Sequence, residues 1–556
     1  MLAQKQIYKL FAILIILSLL LTSCRVIAPA RVNISIVYGS EKQEWMVRLT
    51  EQFNSAEYKT ADGKIIQVEA IPMGSIESSH EIVAETLQPT VWSPASSVYI
   101  PITNAEWKKT HPEDLVVGDP NDLVLSPVVI AMWKPMAEAL GWPQNPIGWS
   151  DIAALATSDE GWAAYGYPEW GLFKFGHTHP DYSNSGIVSI IAQAYAGANK
   201  QKNLTTEDVR DPELIQFMQD IESSVIHYGT STGFFATRLF ENGPSYLSAA
   251  VIYENLVVAQ ETKRLNGETS QLPVVAVYPK EGTFWSNHPY AILNAPWVTE
   301  EQKEAALIFE DFLLDEPQQI EALRLGFRPA DPSIPLTAPL DQQHGVDPQQ
   351  PQTILQVPTA EVITEIQTLW KATKKPVDLS VVIDVSGSMS GERISAARAS
   401  LVQFITMLDD RDRIEITTFS SDVITISNLS EVGPKRADIT RRVSGIIEGG
   451  DTRLYDAVMD SYTRLEEIGN SKHIRAVVVL SDGKDTASTY SINSLQQEIG
   501  SSGEEGGNAI KLFTIGYGDN ADQEILRILA EMTGGKQYNS SPENIKEIYT
   551  EIATFF

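Results

Sequence analysis

The sequence predicts an α/β protein in which a long N-terminal α/β region precedes a C-terminal domain built on a doubly wound parallel sheet. Beyond Pro376, apolar runs rich in Val and Ile recur: "DLSVVIDVS", "RIEITTF", "IRAVVVLSD" and "IKLFTIGYG". Helical stretches such as "RISAARASLVQFITML" and "TRLYDAVMDSYTRLEEI" alternate with them. Strands of that composition alternating with helices imply a parallel sheet covered on both faces. Nearer the N-terminus, "VNISIVYGS" opens the other α/β region, which runs to "LRLGFRPADP".

A chain of 556 residues allows several domains, and 43% hydrophobic with 21% charged residues is an ordinary globular balance. The formal net charge of −30 speaks against nucleic acid as a partner, because phosphate binding needs a basic surface. Excess acid of this kind is usually solvated surface.

In residues 1–24, Lys5 and Lys9 precede an apolar run that ends in Leu21-Thr22-Ser23-Cys24. The run is short for a membrane span of about 20 residues and reads as a secretory signal. Cys24 is the single cysteine, so no internal disulfide is possible. The segment resembles a bacterial lipobox, which implies that Cys24 is acylated, becomes the mature N-terminus and ties the protein to a membrane, facing outside the cytoplasm. The alternative is a plain signal peptide or short anchor with an incidental cysteine.

Residues 25–31 form a short tether, and residues 32–330 the first α/β region. There, Gly39-Ser40 follows the first strand and precedes a helix, and Ser183-Asn184-Ser185-Gly186 opens the helix "IVSIIAQAYAG". Helix N-termini bind anions through free N–H groups and hydroxyls, although Ser and Asn at such places are also ordinary N-caps. Trp92, Trp133, Trp142, Trp149 and Trp285 either line a cleft or fill cores. His177 and His179 share one strand face but have no third metal ligand nearby. Glu254 beside Tyr253 would suit a cationic ligand.

Residues 331–375 are a Pro/Gln-rich linker and a helix. Seven prolines between Pro329 and Pro358 predict an extended linker or a packed strap. In "TAEVITEIQTLWKATKK", Val362, Ile363, Ile366, Leu369 and Trp370 are spaced for one helix face.

In residues 376–556, ligands are expected at the carboxyl ends of the parallel strands. Asp384, Ser386 and Ser388 follow the first strand, Thr452 precedes a helix, and Asp482 follows a later strand. Two carboxylates and three hydroxyls without His or Cys make a hard-oxygen site, suited to Mg²⁺, or Ca²⁺ or Mn²⁺, and not to zinc. Singly, these residues are turn formers or caps; their joint occurrence at strand ends carries the metal expectation. Asp451 beside Thr452 would either strengthen cation binding or repel an acidic ligand.

With those residues in place, the stretch from about 376 to 556 resembles a von Willebrand factor A domain. Asp384, Ser386, Ser388, Thr452 and Asp482 match all five positions of its metal-ion-dependent adhesion site. The resemblance implies that the serines and threonine coordinate directly, the aspartates directly or through water. One position is left for an acidic side chain of a partner protein. Residues 32 to about 330 resemble a type II extracytoplasmic solute-binding protein, in feel the molybdate and sulfate oxyanion binders. The stretches that carry this are "VNISIVYGSEKQEW", "EAIPMGSIESSHEIV", "LVLSPVVIAMWKP", "THPDYSNSGIVSIIAQAYAG" and "AALIFEDFLLDEPQQIEALRLGFRPA". It implies two α/β lobes with a small molecule or oxyanion between them, and by position Ser40, Ser75, Ser185 and Tyr253 as ligand residues. The "GFRP" stretch is a fold signature of that family.

The expected function is a lipid-anchored binding protein outside the cytoplasm that combines a solute-binding fold with a cation-dependent protein-binding domain. The alternative is the solute-binding component of an ABC-type transport system. No nucleophile–base–orienter set stands out, and His473 lies far from any motif, so an enzyme is not expected.

Overall fold

The computed structural model describes residues 30–556 apart from 230, 471, 503–509, 519, 520, 534, 543, 554 and 556. The signal segment and Cys24 lie outside the described residues. Among the described residues, no helix is long and apolar enough to cross a membrane.

The first lobe is built on parallel strands β1 (Arg31–Tyr38), β2 (Ile65–Pro72) and β3 (Val91–Ser93), with β1 in the middle. The short strand Ala291–Ile292 adds antiparallel to β3. Alternation along β1 sends Val32, Ile34 and Ile36 into a core with Trp45 and Phe53 of helix Gln43–Ala56 and Phe309 of helix Glu300–Leu314.

β4 (Val124–Trp133) crosses from this lobe to the second and is apolar along nearly its whole length, as a strand covered on both faces must be. Its first half pairs with Arg328–Pro329 and Trp285–Ser286, its second half with β7 (Ala249–Tyr253) and β8 (Val274–Val277), all antiparallel. β5 (Phe175–Thr178) pairs in parallel with β7 and with β6 (Val225–Gly229), which is the edge strand of the path.

The proline-rich stretch is a packed strap. Leu340, Val346 and Leu355 are buried in the core of the second lobe. The backbone of Gly345 accepts from Ala276, the Thr283 amide donates to the Thr353 carbonyl, and the Leu355 amide donates to the Thr283 carbonyl. The helix Ala360–Thr373, capped by the Thr359 hydroxyl, buries Val362, Ile363, Ile366 and Trp370.

The C-terminal sheet has the order β11-β10-β9-β12-β13-β14, where β9 is Val377–Asp384, β10 Arg413–Phe419, β11 Val423–Glu431, β12 Ile474–Ser481, β13 Lys511–Tyr517 and β14 Gln537–Ser540. Leu379, Val381 and Ile383 face helix Glu392–Met407, while Val382 faces helix Leu454–Ile468, so both faces are covered. The expected all-parallel sheet is corrected at one edge. β11 runs antiparallel to β10, because the turn of residues 420–422 is too short for a crossover.

The N-terminal end of this sheet docks on the second lobe. The Tyr228 amide on edge strand β6 donates to the Phe555 carbonyl at 2.9 Å, and the Phe555 ring stacks on His227 at 4.5 Å. Lys374 Nζ pairs with Asp409 Oδ2 at 3.2 Å. Behind these contacts the buried Glu222 carboxylate accepts from His177 Nε2 at 3.0 Å, Tyr228 OH at 2.7 Å and Trp370 Nε1 at 3.2 Å.

Trp370→Ala removes a fully buried ring and one of the three donors, so stability should fall by about 3–5 kcal/mol. Chemical denaturation followed by circular dichroism checks this; an unchanged midpoint would show that the connecting helix adds nothing to the fold.

Candidate functional site

At the carboxyl ends of β9 and β12, the chain gathers the five residues expected there. Asp384, the last residue of β9, is fully buried; its Oδ1 accepts from the Ser386 amide at 2.9 Å and its Oδ2 from the Ser481 hydroxyl at 2.6 Å. Ser386 Oγ and Ser388 Oγ are 3.0 Å apart, and the Ser388 hydroxyl donates to Asp482 Oδ1 at 2.7 Å. A Cβ placed on Gly483 would lie 3.8 Å from both Ser388 Oγ and Thr452 Oγ1, so these hydroxyls face one small space. The loop carrying Thr452 is held in place by the Gly387 amide, which donates to the Gly450 carbonyl.

Burial, with the neighbouring Asp482 charge, holds the Asp384 carboxyl above its ordinary range. The donor set fits a hard divalent cation: the buried Asp384 carboxylate has no cation within ion-pair distance among the described residues, and neutral hydroxyls complete an oxygen shell. Among the described residues, no three His, Cys, Asp or Glu side chains cluster as a metal site, which fits a set made mostly of hydroxyls. Asp451 is exposed, and the Ser421 hydroxyl donates to its Oδ2 at 3.4 Å.

Sequence reasoning missed Arg393. In the first turn of helix Glu392–Met407, its Nη1 donates to Asp482 Oδ2 at 2.7 Å. The signal was available, since side chains of a first turn lean back towards the loop that precedes it.

Between the lobes the predicted residues have unequal roles. Ser40 is exposed. Ser75 Oγ accepts from the Ala95 amide at 2.9 Å, and Ser185 Oγ is engaged by Thr178 at 2.7 Å and Thr232 at 2.9 Å. The two hydroxyls therefore also do structural work as bonding partners. Tyr253 OH accepts from Asn184 Nδ2 at 2.9 Å, and burial, then the nearby Glu41 charge, raises its phenol.

The sequence did not single out what stands beside Tyr253. Lys42 is completely buried; its Nζ donates to the Ser93 carbonyl at 3.0 Å and lies 3.1 Å from His288 Nδ1. Glu41 Oε1 lies 3.1 Å from the same ring nitrogen, so Lys42, His288 and Glu41 form one contiguous polar cluster. Glu41 Oε1 lies 3.6 Å from the ammonium. Burial pulls Lys42 down to about 8 against the pull of Glu41. Burial pushes Glu41 up, but Lys42 and His288 outweigh it and hold it at about 2. Burial, with the Lys42 charge, lowers His288 to about 4. Around this group, Tyr38 OH, Ser93 Oγ, Tyr99 OH, Asn184 Oδ1 and His288 Nε2 are buried without a hydrogen-bond partner among the described residues. Buried polar atoms are normally satisfied, so this concentration sets the place apart from the rest of the interior.

Glu254 does not await a cationic ligand. Its carboxylate takes a bidentate pair from Arg328 at 2.6 and 2.8 Å, which gives the "GFRP" stretch its buried partner. His177 is bound to Glu222, and His179 packs edge-on to Trp370 at 4.8 Å, so this pair serves the core. Trp92, Trp133 and Trp149 are also core residues, and Trp285 carries the Arg328 guanidinium on its face. Trp142 is partly buried beside the strap. His473 binds Asp378 at 2.8 Å, near the far end of β9 from the hydroxyl-rich edge.

Residues 34–328 match the family of bacterial extracellular solute-binding proteins, and residues 378–551 match the von Willebrand factor type A domain. The chain is therefore a solute-binding domain followed by a von Willebrand factor type A domain. Inter-alpha-trypsin inhibitor heavy chain H2 of Mus musculus is 25% identical over 193 residues, 32% of this chain and 20% of that protein. The chain thus spans about a fifth of the length of the first relatives it matches. An uncharacterized protein of Mycobacterium tuberculosis is 20% identical over 507 residues, 84% of this chain and 68% of that one. Among solved structures, a periplasmic thiamin binding protein is 11% identical with a TM-score of 0.43, over 62% of this chain and 96% of that one.

The cleft charges give a pH dependence. The unfolded chain protonates His288 near 6.5 and Glu41 near 4.5, whereas the folded chain holds them at about 4 and about 2. The unfolded state then binds more protons, so both groups stabilise the fold above their unfolded values and lose that effect as pH falls. His288→Gln should flatten the drop in thermal midpoint between pH 6.5 and 4; parallel profiles for variant and wild type would refute the assignment.

Proposed function

Because the chain belongs to the family of bacterial extracellular solute-binding proteins and carries a von Willebrand factor type A domain, we propose that it works outside the cytoplasm as a two-module binding protein. One module takes a small molecule between its lobes; the other takes a protein partner in a divalent-cation-dependent way. The lipobox-like end supports a membrane anchor through Cys24.

One observation supports the second module most directly: the Ser386, Ser388 and Asp482 side-chain oxygens are linked by contacts of 2.7–3.0 Å, Asp384 Oδ1 accepts from the Ser386 amide at 2.9 Å, and Thr452 faces the same space. These five residues would hold Mg²⁺, or Ca²⁺ or Mn²⁺. A bound cation supplies a Lewis-acidic position to which a partner's carboxylate can bind. Arg393 and the buried carboxylates orient the hydroxyls. The domain's base is docked on the second lobe while this edge lies at the other end of eight-residue strands, about 25 Å away. The partner-binding edge therefore projects outward. Nothing in this role requires catalysis.

The cleft favours a role in solute delivery to an ABC-type permease as the second reading. Its unpartnered hydroxyls and its Lys42–Glu41 pair suit a polar small molecule better than a bare oxyanion, because the buried Lys42 beside them is already opposed by the Glu41 carboxylate. Under that reading, cells lacking the chain lose uptake of a solute, and cells carrying Asp384→Ala keep it.

Isothermal titration of the full chain with MgCl₂ should give saturable binding that is abolished in Asp384→Ala. Equal Mg²⁺ affinity in the two proteins would overturn the metal assignment.

A further inference from the structure

The base of the von Willebrand factor type A domain does not seal completely against the solute-binding domain. A groove of about 670 Å³ runs between them, within the size range of small-molecule sites. Its walls bring together Lys174 from the second lobe, Lys375 from the connection, and Arg411 and Lys472 from loops at the base of the C-terminal sheet. Among the described residues of that lining, Asp159 is the one acid.

These four cations differ from their neighbours. Lys371 pairs with Asp181, and Lys374, also on the lining, pairs with Asp409 and Asp412. Among the described residues, none of Lys174, Lys375, Arg411 and Lys472 has a carboxylate within ion-pair distance, in a chain whose formal net charge is −30. Lys174 Nζ donates to the Ser245 carbonyl and Arg411 Nη2 to the Lys374 carbonyl, so both are held in position by neutral acceptors. Burial draws Lys375 down to about 8 against the pull of the more distant Glu222 carboxylate, and lowers Lys174 as well. Gathering like charges in a partly dry groove is unfavourable unless an anion opposes them.

We propose that this groove binds a small, multiply charged phosphate-bearing anion that bridges the solute-binding domain and the von Willebrand factor type A domain. Because the cations come from both sides, the anion would hold the two domains in their docked arrangement. Ligand bound only by the docked state raises its stability by mass action. Phosphate of this kind reaches the groove either as a soluble molecule or as a lipid headgroup.

Titration of the full chain with sodium pyrophosphate, in EDTA to keep the hydroxyl-rich edge out of the measurement, tests the proposal. Wild type should bind saturably and gain thermal stability. Lys375→Gln/Lys472→Gln should bind about tenfold more weakly or worse, the scale of lost charge-assisted hydrogen bonds. Lys371→Gln, outside the groove, should bind like wild type. Lys472 is exposed, so Lys472→Gln alone provides the same comparison with little risk to folding. Sedimentation with phosphatidylglycerol vesicles separates the sources. Vesicle binding that pyrophosphate displaces and the double variant loses assigns a lipid headgroup. Pyrophosphate binding without vesicle binding assigns a soluble anion. Failure to bind either, or binding indifferent to Lys375 and Lys472, overturns the proposal.

Discussion

The carboxylate of Glu222 sits where the second lobe, the connecting helix and, through them, the C-terminal domain are joined. It is fully buried and accepts from three donors on three elements: His177 next to the β5–β6 pairing, Tyr228 on β6 and Trp370 on helix Ala360–Thr373. Burial pushes this carboxyl up, but the His177 ring and the three hydrogen bonds outweigh it and keep it ionised. A charge so placed tolerates no loose partner, since each missing donor would leave it less compensated in a low-dielectric interior. The helix is thereby set in register on the lobe, and Lys374 at its end meets Asp409 on the next domain. What looked like a linker is the joint of the molecule.

Much of this architecture is legible in the chain. Near-continuous apolar runs in "DLSVVIDVS" and "IRAVVVLSD" mark β9 and β12 as strands covered on both faces, and the abrupt change to Asp and Ser marks their ends. Where two neighbouring parallel strands end, their loops must meet, which is why residues almost a hundred positions apart could be assigned to one place. The antiparallel β11 was not legible, because its mixture of exposed and buried residues carries no clean alternation. Arg393 was overlooked although its place in the first turn of a helix, directly after the hydroxyl-rich loop, leans its side chain back towards that loop.

The cleft was harder to read than the hydroxyl-rich edge for a physical reason. Ser75, Ser185 and Tyr253 belong to the right elements, yet hydroxyls bond readily to the protein itself, and position does not tell a ligand contact from an internal one. Lys42 and Glu41 were passed over because "GSEKQEW" looks like the solvated start of a helix. Their burial depends on His288, almost two hundred and fifty residues away, which no local pattern reports. Separation along the chain, here 74 residues, likewise hid the meaning of Glu254, whose cation is Arg328.

The parallel alignment of β9 with β12 has a mechanical side. A pull by a partner on the loops after β9 and β12 would run along the strands, loading their seven paired positions in shear rather than peeling them one at a time. At the other end, that tension would reach Lys374 and the Phe555–β6 contact. The sheet would thus act as a stiff rod, and the first element to yield would be the seam between the domains rather than the fold that grips the partner.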